Sequence, residues 1–238
     1  MSKAKDHAIG ERFVKTEGTM KKIMFSERFG IQQAVIAKRK TMTRRNANTP
    51  ADMTQDFWNP VMGIDDKGKV YFTVDYCDGS RRDIYPQYQI GEELAIAQSY
   101  ETLANSRYCS ELGMMDTPTT FKKEFCGKGW GNKMFVKAEY MPHRISITNI
   151  KLERLQDISE EDAMREGVFK YDKPPLHHEM DMFAPWPPYI RPYKWDGDNL
   201  VYRCNARAVF AYLIDKISGG GTWNRNPWVF AYEFELVR

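Results

Sequence analysis

Cysteine is scarce in this chain of 238 residues: Cys77, Cys109, Cys126 and Cys204 are the four present, widely scattered. No two form a C-x-x-C pair, and no histidine stands at zinc-ligand spacing from one, so a zinc site is not expected. The His177–His178 pair suits one metal poorly, because adjacent side chains point different ways on a helix or a strand. Long apolar runs are missing as well. Mean hydropathy is −0.62, and no run approaches the roughly 20 residues that would cross a bilayer. The opening MSKAKDHAIGERF lacks the apolar stretch of a secretory signal. The expectation is a cytoplasmic protein with reduced thiols and no membrane partner. Gly-rich phosphate loops are absent too, as are a G-x-S-x-G elbow and an H-E-x-x-H pair. Neither a metal nor an organic cofactor is therefore expected, and Gly127–Gly131 reads as a turn.

What the chain does have is a core. Hydrophobic residues make up 42%, with 13 Phe, 13 Tyr and 6 Trp, which excludes global disorder. The length allows burial without a disulfide or metal staple. The net charge of +3 hides an asymmetry. Residues 1–50 carry 12 Lys/Arg against 4 Asp/Glu, whereas the remainder carry 23 against 28. A basic segment in a near-neutral protein suggests local contact with an anion such as phosphate; a solvated face with a basic tail explains it equally well.

Along the chain, residues 1–20 read as a flexible basic tail and 21–238 as one domain. Lys21 to Phe25 reads as a short strand. Ser26 can cap a helix ending near Arg39, and KTMTRR (Lys40 to Arg45) then reads as extended. Residues 46–68, 101–133 and 168–200 read as insertions. The last holds half of the 12 prolines. Val70 to Tyr76 and Arg81 to Tyr85 flank an Asp78–Gly79 hairpin signal. Gly91 to Ala97 and Met134 to Tyr140 read as strands. From Ile145 to Leu155 the apolar parity changes, which predicts a bulge or strong bend. Ser159 opens a short helix closed by Gly167. Residues 202–217 have a helical apolar period ended by Gly219–Gly221. Trp228 to Leu236 alternates as a half-buried strand. The order is not βαβ, so the fold class is α+β, and a small mixed barrel with helices at its rim fits.

Three segments carry a family resemblance: KRKTMTRR (Lys38 to Arg45), MPHRISITNIKLERLQDISEEDAMREGV (Met141 to Val168) and ARAVFAYLIDKISGGGTWNRNPWVFAYEFE (Ala206 to Glu235). Together they resemble the ASCH domain family of the PUA-like superfamily, in particular the longer ASCH proteins that phages and prophages encode. At Lys38 the chain departs from the glycine usual there. The resemblance implies a PUA-like bent β-barrel with a cleft that binds RNA, DNA or a modified nucleoside. Some small ASCH proteins are amidohydrolases acting on N4-acetylcytidine. Their catalytic Lys, Thr and Glu match Lys40, Thr43 and Glu166. Other members are reported as ribonucleases, so the family does not specify one chemistry.

Physical chemistry can be set beside each match. Thr43 is a nucleophile if its hydroxyl meets a base. Lys40 is that base if burial and Arg39, Arg44 and Arg45 lower its pKa. A strict strand would hold Lys40 and Thr43 on opposite faces, so their cooperation needs a turn. Glu166 falls at a helix C-terminus, where the dipole disfavours its ionised form and suits it to donate a proton. Without the resemblance, Glu166 reads as a solvated helix end and Thr43 as an ordinary strand residue. Arg39, Lys40, Arg44, Arg45 and Arg144 form a candidate nucleic-acid contact, giving affinity without chemistry. Trp228, Phe230 and Tyr232 read as core. Trp186, Tyr189, Tyr193 and Trp195 read as packing of the third insertion, with base stacking the alternative. Three hypotheses follow: a nucleic-acid or modified-nucleoside binder, an N4-acylcytidine amidohydrolase, and a phage accessory protein whose insertions bind a host protein.

Overall fold

The computed structural model describes residues 20–47, 57–76, 79–105, 127–170, 193–195, 201–203 and 205–237. The four cysteines, His177–His178, Trp186, Tyr189, residues 1–19 and much of the second and third predicted insertions lie outside them. In chain order the elements are β1 (Lys22–Ile23), α1 (Ile31–Ile36), β2 (Met42–Asn46), β3 (Phe57–Ile64), β4 (Val70–Tyr76), β5 (Arg81–Ile84), β6 (Glu93–Ile96) and α2 (Tyr100–Asn105). There follow β7 (Arg144–Arg154), α3 (Glu160–Arg165), β8 (Phe169–Lys170), β9 (Tyr193–Trp195), β10 (Val201–Arg203), α4 (Ala206–Ser218), α5 (Thr222–Arg225) and β11 (Trp228–Leu236). The fold is α+β, and among the described residues no sheet closes on itself.

The chain divides into two compact units. The first comprises Met1–Phe25, Glu93–Ile145 and Val237–Arg238; the second comprises Ser26–Glu92 and Ser146–Leu236. In the first unit, β1 runs parallel to β6, with Lys22 opposite Ala95. Ala95, Ala97, Tyr100, Leu103, Val136 and Met141 form its core. Residues Met134 to Tyr140, expected as a strand, instead form 3₁₀ turns at Lys133–Phe135 and Ala138–Tyr140. The cause is side-chain competition for the backbone. The Asn132 side chain accepts from the Met134 amide, and Lys22 Nζ donates to the carbonyls of Met134 (2.6 Å) and Val136 (2.8 Å).

In the second unit, β11 lies between β7 and β2. Trp228 to Tyr232 are buried without a break, because both strand edges and both faces are covered. The expected half-buried strand is thus a central one over its first half. Residues 57–64, expected as part of a loop, form β3 and pair antiparallel with β4, whose other edge takes β5. The hairpin turn before Ser80 is held by Tyr76 N to Ser80 O (2.9 Å), with Gly79 at φ 78°. Strands β8, β9 and β10 form a small antiparallel sheet.

Along β7, Ile145, Ile147, Ile150 and Leu152 are all buried, so the side-chain parity changes within a single strand. At the change, the Ile150 amide donates to the Asn149 side chain (2.9 Å). Helix α4 begins at Ala206 rather than near residue 202, because Asn205 caps it by accepting from the Ala208 amide (2.8 Å). A carboxylate also reaches it from α3: Glu160 Oε2 accepts from the Ala206 amide at 2.7 Å.

Candidate functional site

The site is built where α1 hands over to β2. The expected helix up to Arg39 ends earlier, at Ile36. Arg39 and Lys40 both send their amides to the Ala34 carbonyl (2.8 and 3.0 Å), which folds the chain back on the helix end. Lys38 takes the left-handed conformation, φ 57°, in this turn. Lys40 therefore precedes β2 rather than belonging to it, so strand alternation does not set its direction relative to Thr43. The Thr41 amide donates to the Arg165 carbonyl (2.8 Å), fixing the turn against the end of α3.

Helix α3 supplies the partner. Ser159 accepts from the Asp162 amide (3.0 Å), so the helix starts where the sequence predicts, and Gly167 at φ 105° lets the chain leave it. Glu166 occupies the C-terminal cap position. Lys40 Nζ forms an ion pair with Glu166 Oε2 and also donates to the Glu166 carbonyl (3.1 Å). Both side chains are only 4% exposed. Burial pushes the Lys40 ammonium below its ordinary value; Glu166 opposes that shift, and Arg45 and Arg44 add to it.

Alternation along β2 sorts the rest. Thr43 pairs with Tyr232 and Arg45 with Phe230, so these four share one face. Met42 and Arg44 share the other with Glu233 and Ala231. Arg44 is turned inward, its side chain 1% exposed. It donates to Glu153 Oε1 from Nε (2.9 Å) and Nη2 (2.6 Å), to Asp162 Oδ2 (3.2 Å) and to Glu166 Oε1 (3.1 Å). Burial alone would lower its pKa, but the Glu166 and Glu153 charges prevail and raise it. Both oxygens of Glu166 are thus held by cations, one from Lys40 and one from Arg44. Beyond them, Arg165 Nη2 bonds Glu233 Oε2 (2.7 Å), and Asn149 donates to Glu233 Oε1 (3.1 Å).

On the opposite face Thr43 is buried, and no hydrogen bond joins its hydroxyl to Lys40 or Glu166 among the described residues. Tyr232 is fully buried, and its hydroxyl accepts from the Gln87 amide (3.1 Å). Burial pushes its pKa up to about 12. Tyr88 stands edge-on to it, ring centroids 5.3 Å apart, and its hydroxyl is also pushed up by burial. Arg45 lies in the field of Tyr88, Glu166 and Tyr232, and burial draws its guanidinium down. Tyr232, expected as core, and Tyr88, which the sequence does not single out, are the site neighbours that sequence reasoning misses; a Tyr in an apolar strand or a short bend carries no signal that its hydroxyl faces a charge.

The remaining predicted residues are placed elsewhere. Arg39 is exposed and lies over the Phe169 ring, 5.2 Å from its centroid. Arg144 belongs to the first unit, with Glu93 as its ion-pair partner at 3.8 Å. The structure thus brings Lys40 and Arg44 into contact with Glu166, with Thr43 and Arg45 on the other face of β2. Among the described residues no cluster of His, Cys, Asp and Glu has the geometry to hold a metal ion, and no helix is long and apolar enough to cross a membrane. Comparison with family models, with curated proteins and with solved structures finds no match.

Proposed function

We propose that this chain is an ASCH-type protein with a PUA-like barrel, that it receives a modified nucleoside at Lys40 and Glu166, and that it acts in a bacterial cytoplasm. The observation that carries this is the buried contact between Lys40 and Glu166, residues 126 apart in sequence. They stand at two of the three positions that the resemblance makes catalytic. Lys38 adds support. Its left-handed backbone is the conformation that the glycine of the family pattern adopts without strain. The charge balance favours a neutral base over a phosphate as the group bound. Lys40 and Arg44 are already neutralised by Glu166, Glu153 and Asp162, and a phosphate would have to displace a carboxylate from each.

A second reading, amide hydrolysis, is favoured by the downward shift of Lys40, which raises the share of its amine that can accept a proton near neutral pH. On that reading the Lys40 amine takes the Thr43 hydroxyl proton as the oxygen adds to the acyl carbon. The C–N bond to the exocyclic nitrogen breaks, and that nitrogen leaves with the Lys40 proton relayed through Glu166. Water then cleaves the acyl ester, releasing the carboxylic acid and restoring Thr43.

The test is calorimetric binding of N4-acetylcytidine and cytidine, with chromatographic detection of product. Saturable binding that is lost in Lys40→Met and Glu166→Gln supports the site; equal binding by both variants overturns it. If cytidine is released, the rate should rise with pH and level off with a midpoint below 10.5, the ordinary lysine value. A rate indifferent to pH and to Lys40 removes the hydrolytic reading and leaves the binding one.

A further inference from the structure

The stretch from Phe121 to Lys137, FKKEFCGKGWGNKMFVK, interleaves five lysines with Phe121, Phe125, Trp130 and Phe135 and has a single acid, Glu124. The site at Lys40 uses none of it. Its described part, Gly127 to Lys137, lies in the first unit. We infer that the described stretch from Gly127 to Lys137 is a docking surface for single-stranded nucleic acid, with Phe135 as a base-stacking platform and Lys128 and Lys137 as phosphate contacts.

From Gly127 to Lys137 the backbone is irregular yet tightly held. Trp130 accepts at its carbonyl from the Glu101 amide (3.0 Å), and its own amide donates to Gly127 (3.2 Å). Gly129 is pressed so closely on Tyr100 that an added Cβ would lie 2.6 Å from its ring. The Lys137 amide donates to the Tyr100 hydroxyl (3.0 Å). Lys133 Nζ donates to the Phe25 carbonyl, and Lys22 Nζ to the carbonyls of Met134 and Val136. Trp130, Ala138 and Tyr140 pack on the core of the unit. Lys133 and Lys22 are therefore structural, whereas Lys128 and Lys137 stand at the surface, Lys137 with the Tyr140 hydroxyl and Glu139 beside its ammonium.

Against this fixed scaffold, Met134 is 61% and Phe135 54% exposed. A large apolar side chain held outward by a rigid loop is not a by-product of mobility, and such positions mark binding surfaces. The chemistry beside it selects the partner. Lys128 Nζ lies 5.5 Å from the Phe135 ring centroid, and Lys137 Nζ 5.3 Å from that of Tyr140. Each ammonium lies over one face of its ring, so a base would stack on the other face of Phe135 with Lys128 beside its phosphate. Glu139, 3.7 Å from Lys137, offsets one charge, and among the described residues 127–140 three lysines stand against this one carboxylate. A duplex would hide its bases from Phe135, which favours a single strand.

The inference deepens the preceding reading, on which it rests only in placing a nucleotide on this chain: it makes the natural ligand a polynucleotide. The test is fluorescence anisotropy of a labelled oligouridylate of about 12 nucleotides, a length within the range of single-strand sites, titrated at several salt concentrations with the full chain. Phe135→Ala should weaken binding by about tenfold, and Phe135→Trp should restore it. Lys128→Glu combined with Lys137→Glu should flatten the slope of log affinity against log salt by roughly 1.4. All these side chains are at the surface, and circular dichroism checks that the fold persists. Binding of N4-acetylcytidine should be the same in every variant. Absence of oligonucleotide binding, or affinity indifferent to Phe135 and the two lysines, overturns the inference while leaving the Lys40 site standing. Capture of the chain by anionic phospholipid vesicles with no oligonucleotide binding also overturns it. Oligonucleotide binding that depends on Phe135 in a chain that ignores the free nucleoside supports the surface and removes the nucleoside site.

Discussion

Arg44 receives carboxylates from three places: Glu153 on β7, Asp162 within α3 and Glu166 at its end. A planar guanidinium presents five N–H donors in a fixed fork, whereas a lysine ammonium presents three from a single point. Arg44→Met would leave three carboxylates facing one another around a space that holds no cation, and Glu166 would keep only Lys40. The expected loss is about 3–5 kcal/mol of unfolding free energy, read from denaturant midpoints, with Arg44→Lys recovering only part of it. A loss below about 1 kcal/mol would put the cluster among weak surface pairs. None of this could be seen in the sequence. Alternation places Arg44 and Arg45 on opposite faces of β2, but it does not say which face carries the carboxylates. Charge alone made both of them candidates for phosphate.

At the level of elements, the junction between α1 and β2 decides whether Lys40 reaches Glu166. The turn depends on Lys38 at φ 57°, a conformation that costs an L-residue with a Cβ about 1–2 kcal/mol. Lys38→Gly should therefore stabilise the chain by about 1 kcal/mol, measured as a raised thermal midpoint. Lys38→Ala, which keeps the Cβ, should not. The sequence marked this position, because a lysine stands where the resembling proteins carry glycine. It did not show that α1 stops at Ile36, since Ala37, Lys38 and Arg39 are all good helix formers and the reversal at the Ala34 carbonyl is a tertiary arrangement. The segment after Asn132 was misread for a related reason. Met134 to Tyr140 alternates well enough for a strand, but the lysine that takes its carbonyls lies 112 residues earlier.

For the molecule as a whole, acid stability follows from Glu233. The hydrogen bond from Arg165 is the main cause that holds its carboxyl below the ordinary range, with Asn149 and Lys151 acting the same way and burial opposing them. A carboxyl depressed in the folded state and ordinary in the unfolded one stabilises the fold fully above about pH 4.5. That contribution is lost as pH falls through the folded value. The unfolding free energy should decline over this acid range, and Glu233→Gln should show a shallower decline together with a lower plateau at neutral pH. Parallel pH profiles for the two proteins would mean that Glu233 is not linked to global unfolding.

The α+β class, the strands β4, β5 and β11 and the caps at Ser159 and Gly167 were written in local pattern. They depend on period, turn chemistry and backbone sterics, which a sequence carries residue by residue. Lys40 and Glu166 were named through a resemblance, since no local rule links residues 126 apart. Their burial, the inward turn of Arg44 and the presence of Tyr88 and Tyr232 beside Arg45 were decided by the tertiary structure alone. Burial and charge pairing depend on what the rest of the chain brings within a few ångströms, and that distance is set by packing and not by sequence separation.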